Sequence, residues 1–111
     1  MGKISMEEIV TELVVNGGNA RSKALAAIRA AKNNEMEKAE ELIKECNDSL
    51  IKAHGFQTET IQSALNSGEA SDSYATLLMV HGQDHLMDAM TVKDLAVEMI
   101  EMYKLIHNKE N

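Results

Sequence analysis

Apolar residues recur every three or four positions along most of the chain, which is the spacing of an amphipathic helix. The first such pattern begins at Ser5, which forms an S-x-x-E capping box with Glu8. Gly17 and Gly18 lie inside the pattern and predict a kink or a short break. A first helix over about residues 5–32 is therefore predicted.

Two further helical patterns follow the first. Asn34, with Glu37 three residues later, predicts an N-cap for a second helix over about residues 34–66. A polar stretch containing glycine then predicts a turn before a third helix over about residues 73–107. The predicted fold is all-α, an antiparallel three-helix bundle built as one domain over residues 1–111. The inward positions of its second helix are Met36, Ala39, Ile43, Cys46, Leu50, Ala53 and Gln57.

The third helix is clearly richer in apolar residues than the second. These residues surround the helix instead of forming one stripe, and they include Met79, Val80, Leu86, Met87, Met90, Val97, Met99 and Ile100. A helix in a three-helix bundle buries only one stripe, so the remaining apolar residues predict a second buried face. Self-association would cover that face, and we therefore expect a homo-oligomer.

Composition narrows the possible partners and the compartment. The net charge is −7, with no run of Lys or Arg, which argues against binding to nucleic acid. The single cysteine, Cys46, excludes an internal disulfide and is expected in the core. No segment resembles a signal peptide or approaches the roughly 20 uncharged residues that span a bilayer. We therefore expect a cytoplasmic protein without membrane insertion.

Candidate chemistry is concentrated in about two turns of the third helix. His81, Asp84, His85 and Asp88 stand at i, i+3, i+4 and i+7, which places them on one helical face. The same face is otherwise mainly apolar, with Tyr74, Leu77, Leu78, Thr91, Leu95, Met99 and Met102. Two histidines and two carboxylates are thus predicted on a packing surface, where polar groups need partners.

His81 is the candidate nucleophile. A neutral imidazole keeps one basic nitrogen, and a neighbour such as Gln83 or His85 can orient the other. Gly82 has no side chain, which would let a partner protein approach the ring of His81. In a symmetric oligomer, copies of Asp84 that met on the axis would require a cation, and Mg²⁺ prefers such oxygen ligands.

Two other interpretations of this cluster stay open on spacing alone. His81 and His85 could bind zinc with Asp84 or Asp88 as a third ligand, although the H-E-x-x-H motif of zinc proteases is absent. The cluster could also be an inert polar patch in a structural adaptor. The two remaining histidines, His54 and His107, are expected to have structural roles.

His54 is expected to face the bundle interior. His107, in the last turn with Lys104, is expected to interact with the dipole of its own helix.

The motifs around these residues resemble a known family. Residues 80–87, V-H-G-Q-D-H-L-M, and 91–96, T-V-K-D-L-A, resemble the signature of lactose/cellobiose-type enzyme IIA of the bacterial sugar phosphotransferase system. Residues 18–22, 53–54 and 57–58 resemble its first and second helices. The resemblance therefore extends over nearly the whole chain.

This resemblance implies roles for particular residues. It implies a homotrimer in which His81 is phosphorylated and Gln83 and His85 are its active-site neighbours. It also implies one divalent ion per trimer, taken here as Mg²⁺, held on the axis by Asp84.

The resemblance also implies partners. The histidine phosphocarrier protein would donate the phosphoryl group, and a cognate enzyme IIB would accept it on a cysteine. The relay would serve uptake and phosphorylation of a β-linked disaccharide such as cellobiose, chitobiose or lactose. Because a separate membrane subunit selects the sugar, this chain does not identify it; we favour cellobiose or another β-glucoside.

Overall fold

The computed structural model describes residues 5–67 and 73–110 and shows three α-helices in them: α1 (Met6–Lys32), α2 (Met36–Ser67) and α3 (Ser73–Glu110). α1 packs against both other helices, whereas α2 and α3 contact each other less. The body is elongated, measuring 61 × 26 × 16 Å. The predicted all-α three-helix fold is confirmed.

The helix boundaries agree closely with the prediction. α2 ends within one residue of its predicted end, and α3 begins where predicted but continues three residues further. The turn predicted between them, at residues 68–72, lies outside the described residues.

α1 begins with Ser5 as its N-cap, as the sequence predicts. The Ser5 side-chain oxygen accepts a hydrogen bond from the backbone N–H of Glu8 at 3.1 Å. Glu7 and Glu8 place negative charge in the first turn, where the helix dipole favours it. The helix then runs without interruption through Gly17 and Gly18. The predicted alternative of a break at these glycines is therefore wrong.

The turn between α1 and α2 corrects the predicted role of Asn34. This residue has a positive φ of 62°, and its N–H bonds to the carbonyl of Ala31 at 3.0 Å. The N–H of Glu35 bonds to the carbonyl of Ala30 at 2.8 Å, which completes a Schellman motif at the end of α1. Asn34 thus terminates α1 and is not the N-cap of α2, which begins two residues later than predicted, at Met36.

The core consists largely of small side chains, which lets the helices approach one another closely. One cluster at its centre comprises Ala20, Ala24, Cys46, Ala89 and Ala96. The seven predicted inward positions of α2 are all buried or half-buried. The periodicity of α2 therefore identified its packing face correctly.

Two glycines mark the contact between α1 and α3. A Cβ atom at Gly17 would lie 3.2 Å from the carbonyl oxygen of His85. A Cβ atom at Gly82 would lie 3.1 Å from Cδ1 of Leu13. Gly82 is therefore buried against α1, and the expectation that it opens His81 to a partner protein is wrong.

His107 makes a contact that the sequence did not predict. Its Nε2 lies 3.0 Å from the carbonyl oxygen of Ala31 and 3.2 Å from that of Lys32. These carbonyls are in the last turn of α1, where no further helical turn supplies donors, and that of Ala31 also accepts the N–H of Asn34. His107 thus lies in the last turn of α3, as predicted, and also contacts the C-terminus of α1.

A bilayer-spanning helix is not found in the described part of the chain, because no stretch is both long and apolar enough.

We predict opposite effects of alanine at the two adjacent glycines of α1. Gly18→Ala should stabilise the protein by about 0.5–1 kcal/mol, since glycine is a poor helix former and the new Cβ meets nothing within 4 Å. Gly17→Ala should destabilise it by about 1–3 kcal/mol, because the methyl group presses on helical backbone that cannot rotate away. Urea unfolding at one fixed protein concentration measures both changes. Equal stabilisation by the two substitutions would contradict the close approach at Gly17.

We predict that Cys46 does not react with thiol reagents in the folded protein. Its side chain is buried, and burial raises the pKa of the thiol more than the positive charge of Lys93 lowers it. The reactive thiolate is therefore scarce at neutral pH as well as shielded. Labelling by an aromatic disulfide should be slow in buffer and rapid in denaturant. Fast labelling without denaturant would show that the α1–α2 contact opens readily.

Candidate functional site

The two histidines of α3 are in direct contact. The ring centroids of His81 and His85 are 4.6 Å apart, with an interplanar angle of 84°, so the rings meet edge to face. His81 is exposed and His85 is half-buried. Since Gly17 of α1 abuts the backbone carbonyl of His85, the packing of α1 fixes the position of α3 at this turn. The histidine pair therefore lies on the edge of α3 nearest α1.

Asp84 and Asp88 are both exposed, and neither takes part in an ion pair within residues 5–67 and 73–110. The prediction placed these carboxylates on a packing surface. In one subunit that surface faces water, which solvates the charges at little energetic cost. Their burial would require a further protein surface packed against α3.

An exposed strip of α3 contains these carboxylates. It consists of Leu77, His81, Asp84, Asp88, Thr91, Leu95, Met99, Met102 and Ile106, all of them exposed. Its apolar members are unusually accessible, with Leu77 at 66%, Leu95 at 52% and Met102 at 60%. Steps of three and four residues alternate along the strip with one departure, which is the pattern of a helix that pairs with other helices. We call this set the α3 strip.

Gln83 lies on the other edge of α3. It is half-buried, and its side-chain Oε1 accepts a hydrogen bond from Nε2 of Gln57 on α2. A step of two residues turns roughly 200° around a helix, so Gln83 does not face His81 of its own chain. Within one subunit, His85 thus contacts His81, whereas Gln83 lies beyond the opposite edge of the α3 strip.

Other candidate residues do not join this site. His54 is exposed on α2 and does not face the interior as expected. The expectation of a core position for Cys46 is confirmed.

Zinc binding within one chain gains no support. Among the described residues, no three His, Cys, Asp or Glu side chains are grouped so that they could hold a metal ion. His81, His85 and the two carboxylates therefore do not form a ligand set by themselves.

Sequence reasoning assigned Gln57 to the core of α2 but missed its contact with Gln83. The available signal was the residue type, because a polar amide at an inward position requires a hydrogen-bond partner. The partner lies 26 residues away on another helix, so local spacing could not identify it.

Comparison with known proteins gives one family match. Residues 8–104 match the model of the family described as the lactose/cellobiose-specific IIA subunit of the phosphotransferase system. The match includes α2, most of α1 and α3, and the whole candidate site.

Individual relatives agree with this match. The lichenan-specific phosphotransferase enzyme IIA component of Bacillus subtilis is 48% identical over 101 residues, which are 91% of this chain and 89% of the relative. The crystal structure of the cellobiose-specific enzyme IIA from Bacillus anthracis superimposes with a TM-score of 0.86 at 41% identity, covering 97% of this chain and 96% of that one.

A third similar protein was solved with a partner. The IIA component of the N,N'-diacetylchitobiose branch of Escherichia coli, determined in complex with HPr, superimposes with a TM-score of 0.78 at 33% identity. The superposition covers 95% of this chain and 99% of that one.

Proposed function

Because the chain belongs to the lactose/cellobiose-specific IIA family and is a phosphotransferase component of a sugar phosphotransferase system, we propose that His81 is its phosphoryl carrier. The observation that carries this proposal is the exposed ring of His81 in edge-to-face contact with His85. A phosphoryl carrier must expose its nucleophile to two different proteins in turn. A buried imidazole could not meet that requirement.

The proposed donor is the histidine phosphocarrier protein. A ring nitrogen of His81 attacks the phosphorus of the donor phosphohistidine in line, so that the new N–P bond forms as the old one breaks. The donor imidazole, which carries a proton on its other nitrogen, leaves as a neutral ring, and His81 keeps the proton on its own second nitrogen, so no proton is gained or lost. The complex of the Escherichia coli chitobiose IIA component with HPr supports this choice of donor.

The proposed acceptor is a cysteine thiolate of the cognate enzyme IIB. The thiolate attacks the same phosphorus, a P–S bond forms, and the imidazole of His81 is regenerated. His85, in contact with the His81 ring, is well placed to orient it and to bear part of the developing charge.

The α3 strip supports a homotrimer as the working form. A cyclic trimer joins one edge of each subunit to the opposite edge of the next. His81 lies at the α1 edge of the strip and Gln83 at the α2 edge, so this packing would bring Gln83 of one subunit towards His81 of its neighbour. The proposed catalytic group is thus His81 and His85 of one chain with Gln83 of the next.

Asp84 is the proposed ligand of a Mg²⁺ ion on the trimer axis, one ion per trimer. It is an exposed member of the α3 strip, and one chain alone lacks enough ligands among its described residues. Symmetry would supply three carboxylates, and such an oxygen donor set fits a hard divalent cation. When bound, the ion would neutralise carboxylates that otherwise repel one another.

The proposed location is the cytoplasm, and the proposed sugar is a β-linked disaccharide such as cellobiose, chitobiose or lactose. Relatives with cellobiose-, lactose- and chitobiose-specific names support that class of sugar. Cellobiose or another β-glucoside is favoured within it, in keeping with the lichenan-specific relative and the cellobiose-specific structure.

We predict that His81→Ala abolishes phosphorylation. The protein should accept one acid-labile phosphoryl group per chain when incubated with phosphoenolpyruvate and the general phosphotransferase proteins. His81→Ala removes the nucleophile and should leave no labelled protein in a radiolabel assay. His54→Ala, which changes an exposed histidine of α2, should still be labelled. Labelling that persists in His81→Ala would rule out His81 as the carrier.

We predict that Asp84→Leu keeps the trimer and removes its dependence on a divalent ion. The substitution replaces axial carboxylates by apolar side chains, which pack without a counterion. Light scattering should give the mass of a trimer with and without a chelator, whereas the melting temperature of the unmodified protein should fall on chelation. Asp94→Leu, which changes an exposed carboxylate outside the α3 strip, should keep the response to chelation. Dissociation of Asp84→Leu into monomers would contradict the axial position.

A further inference from the structure

We infer that Gln57 is a positioning residue for phosphoryl transfer and that it acts by setting the orientation of the Gln83 amide. This inference rests on the proposed function, in which Gln83 contacts the phosphoryl group on His81 of the neighbouring subunit. Gln57 itself does not touch the phosphoryl group.

The supporting contact joins two helices. Nε2 of Gln57 on α2 donates to Oε1 of Gln83 on α3, and both side chains are half-buried. Gln57 stands one turn beyond Ala53, which is buried in the cluster that contains Leu86 of α3. Gln57 thus stands on a packed part of α2, and its hydrogen bond joins that part of α2 to Gln83 on α3.

The hydrogen bond determines which end of the Gln83 amide faces outward. A glutamine amide has an acceptor oxygen at one end and a donor NH₂ group at the other. Because Gln57 takes up the oxygen, the NH₂ group of Gln83 is directed away from α2. Its two N–H donors are then presented to whatever lies beyond this edge of α3.

Donors are what a phosphoryl group requires at this position. Phosphoryl oxygens only accept hydrogen bonds, and Asp84 and Asp88 on the same helix repel them. If the Gln83 amide were reversed, its carbonyl oxygen would add a further repulsive dipole. A preset orientation spares the protein the reorganisation of this amide during transfer.

The test replaces Gln57 by an isosteric acceptor. In Gln57→Glu the carboxylate can only accept, so the Gln83 amide should rotate to donate to it and present its oxygen outward. Gln57→Met removes the hydrogen bond without adding charge. Rapid-quench measurement of transfer from the phosphorylated histidine phosphocarrier protein gives the rate at saturating donor and the half-saturating donor concentration.

We expect Gln57→Glu to lower the rate at saturating donor about tenfold and Gln57→Met about threefold, as for losing one oriented hydrogen bond. The half-saturating donor concentration and the melting temperature should change little, since the donor contacts and the core are retained. Gln62→Glu, which places the same charge at an exposed position of α2, should transfer at the unmodified rate.

The background variant Gln83→Met separates orientation from charge. In that background, adding Gln57→Glu should have almost no further effect, because there is no amide left to rotate. An undiminished tenfold effect there would overturn the inference, and so would unmodified rates in both Gln57 variants. Failure of the unmodified protein to accept a phosphoryl group would instead refute the proposed function itself.

Discussion

Two glycines bring the backbones of α1 and α3 closer together than larger residues would permit. Gly17 meets the carbonyl of His85, and Gly82 meets the side chain of Leu13. Both contacts lie within the turn of α3 that carries the histidine pair. A glycine in a helix costs about 1 kcal/mol relative to alanine. At these two positions the glycines permit the close contact that fixes the histidine pair against α1.

The outer face of the same turn of α3 is, by contrast, open to water. The inner face is closed by α1, whereas the α3 strip leaves large apolar side chains and two carboxylates in water. A monomer would expose a narrow apolar band along much of a 61 Å body. Self-association would bury the band but would also bring like charges together, so that assembly and the binding of a counterion would be coupled.

Features that depend on local sequence could be predicted, and those that depend on distant contacts could not. The capping box at Ser5 and the packing face of α2 involve residues within a few positions of each other. Asn34 was misassigned because asparagine suits both an N-cap and a left-handed helix terminus, and only the backbone conformation separates the two. The cluster of His81, Asp84 and His85 followed from helical spacing. The contacts of Gln83 and His107 join residues 26 and 76 positions apart, which no periodicity encodes.

A relay imposes a limit on how strongly its site can bind the phosphoryl group. The carrier must accept the group from one protein and release it to another, so a phosphohistidine held by many charges would be too stable to pass on. The surroundings of His81, the proposed carrier, are correspondingly sparse: one imidazole on the same chain contacts it, and within the described residues no basic side chain forms an ion pair with the nearby carboxylates. Neutral donors such as an amide stabilise the transferring group by small amounts, which suits reversible transfer better than lysine or arginine would. Cationic groups supplied by the donor and acceptor proteins would then act only while each is docked, which confines strong stabilisation to the moment of transfer.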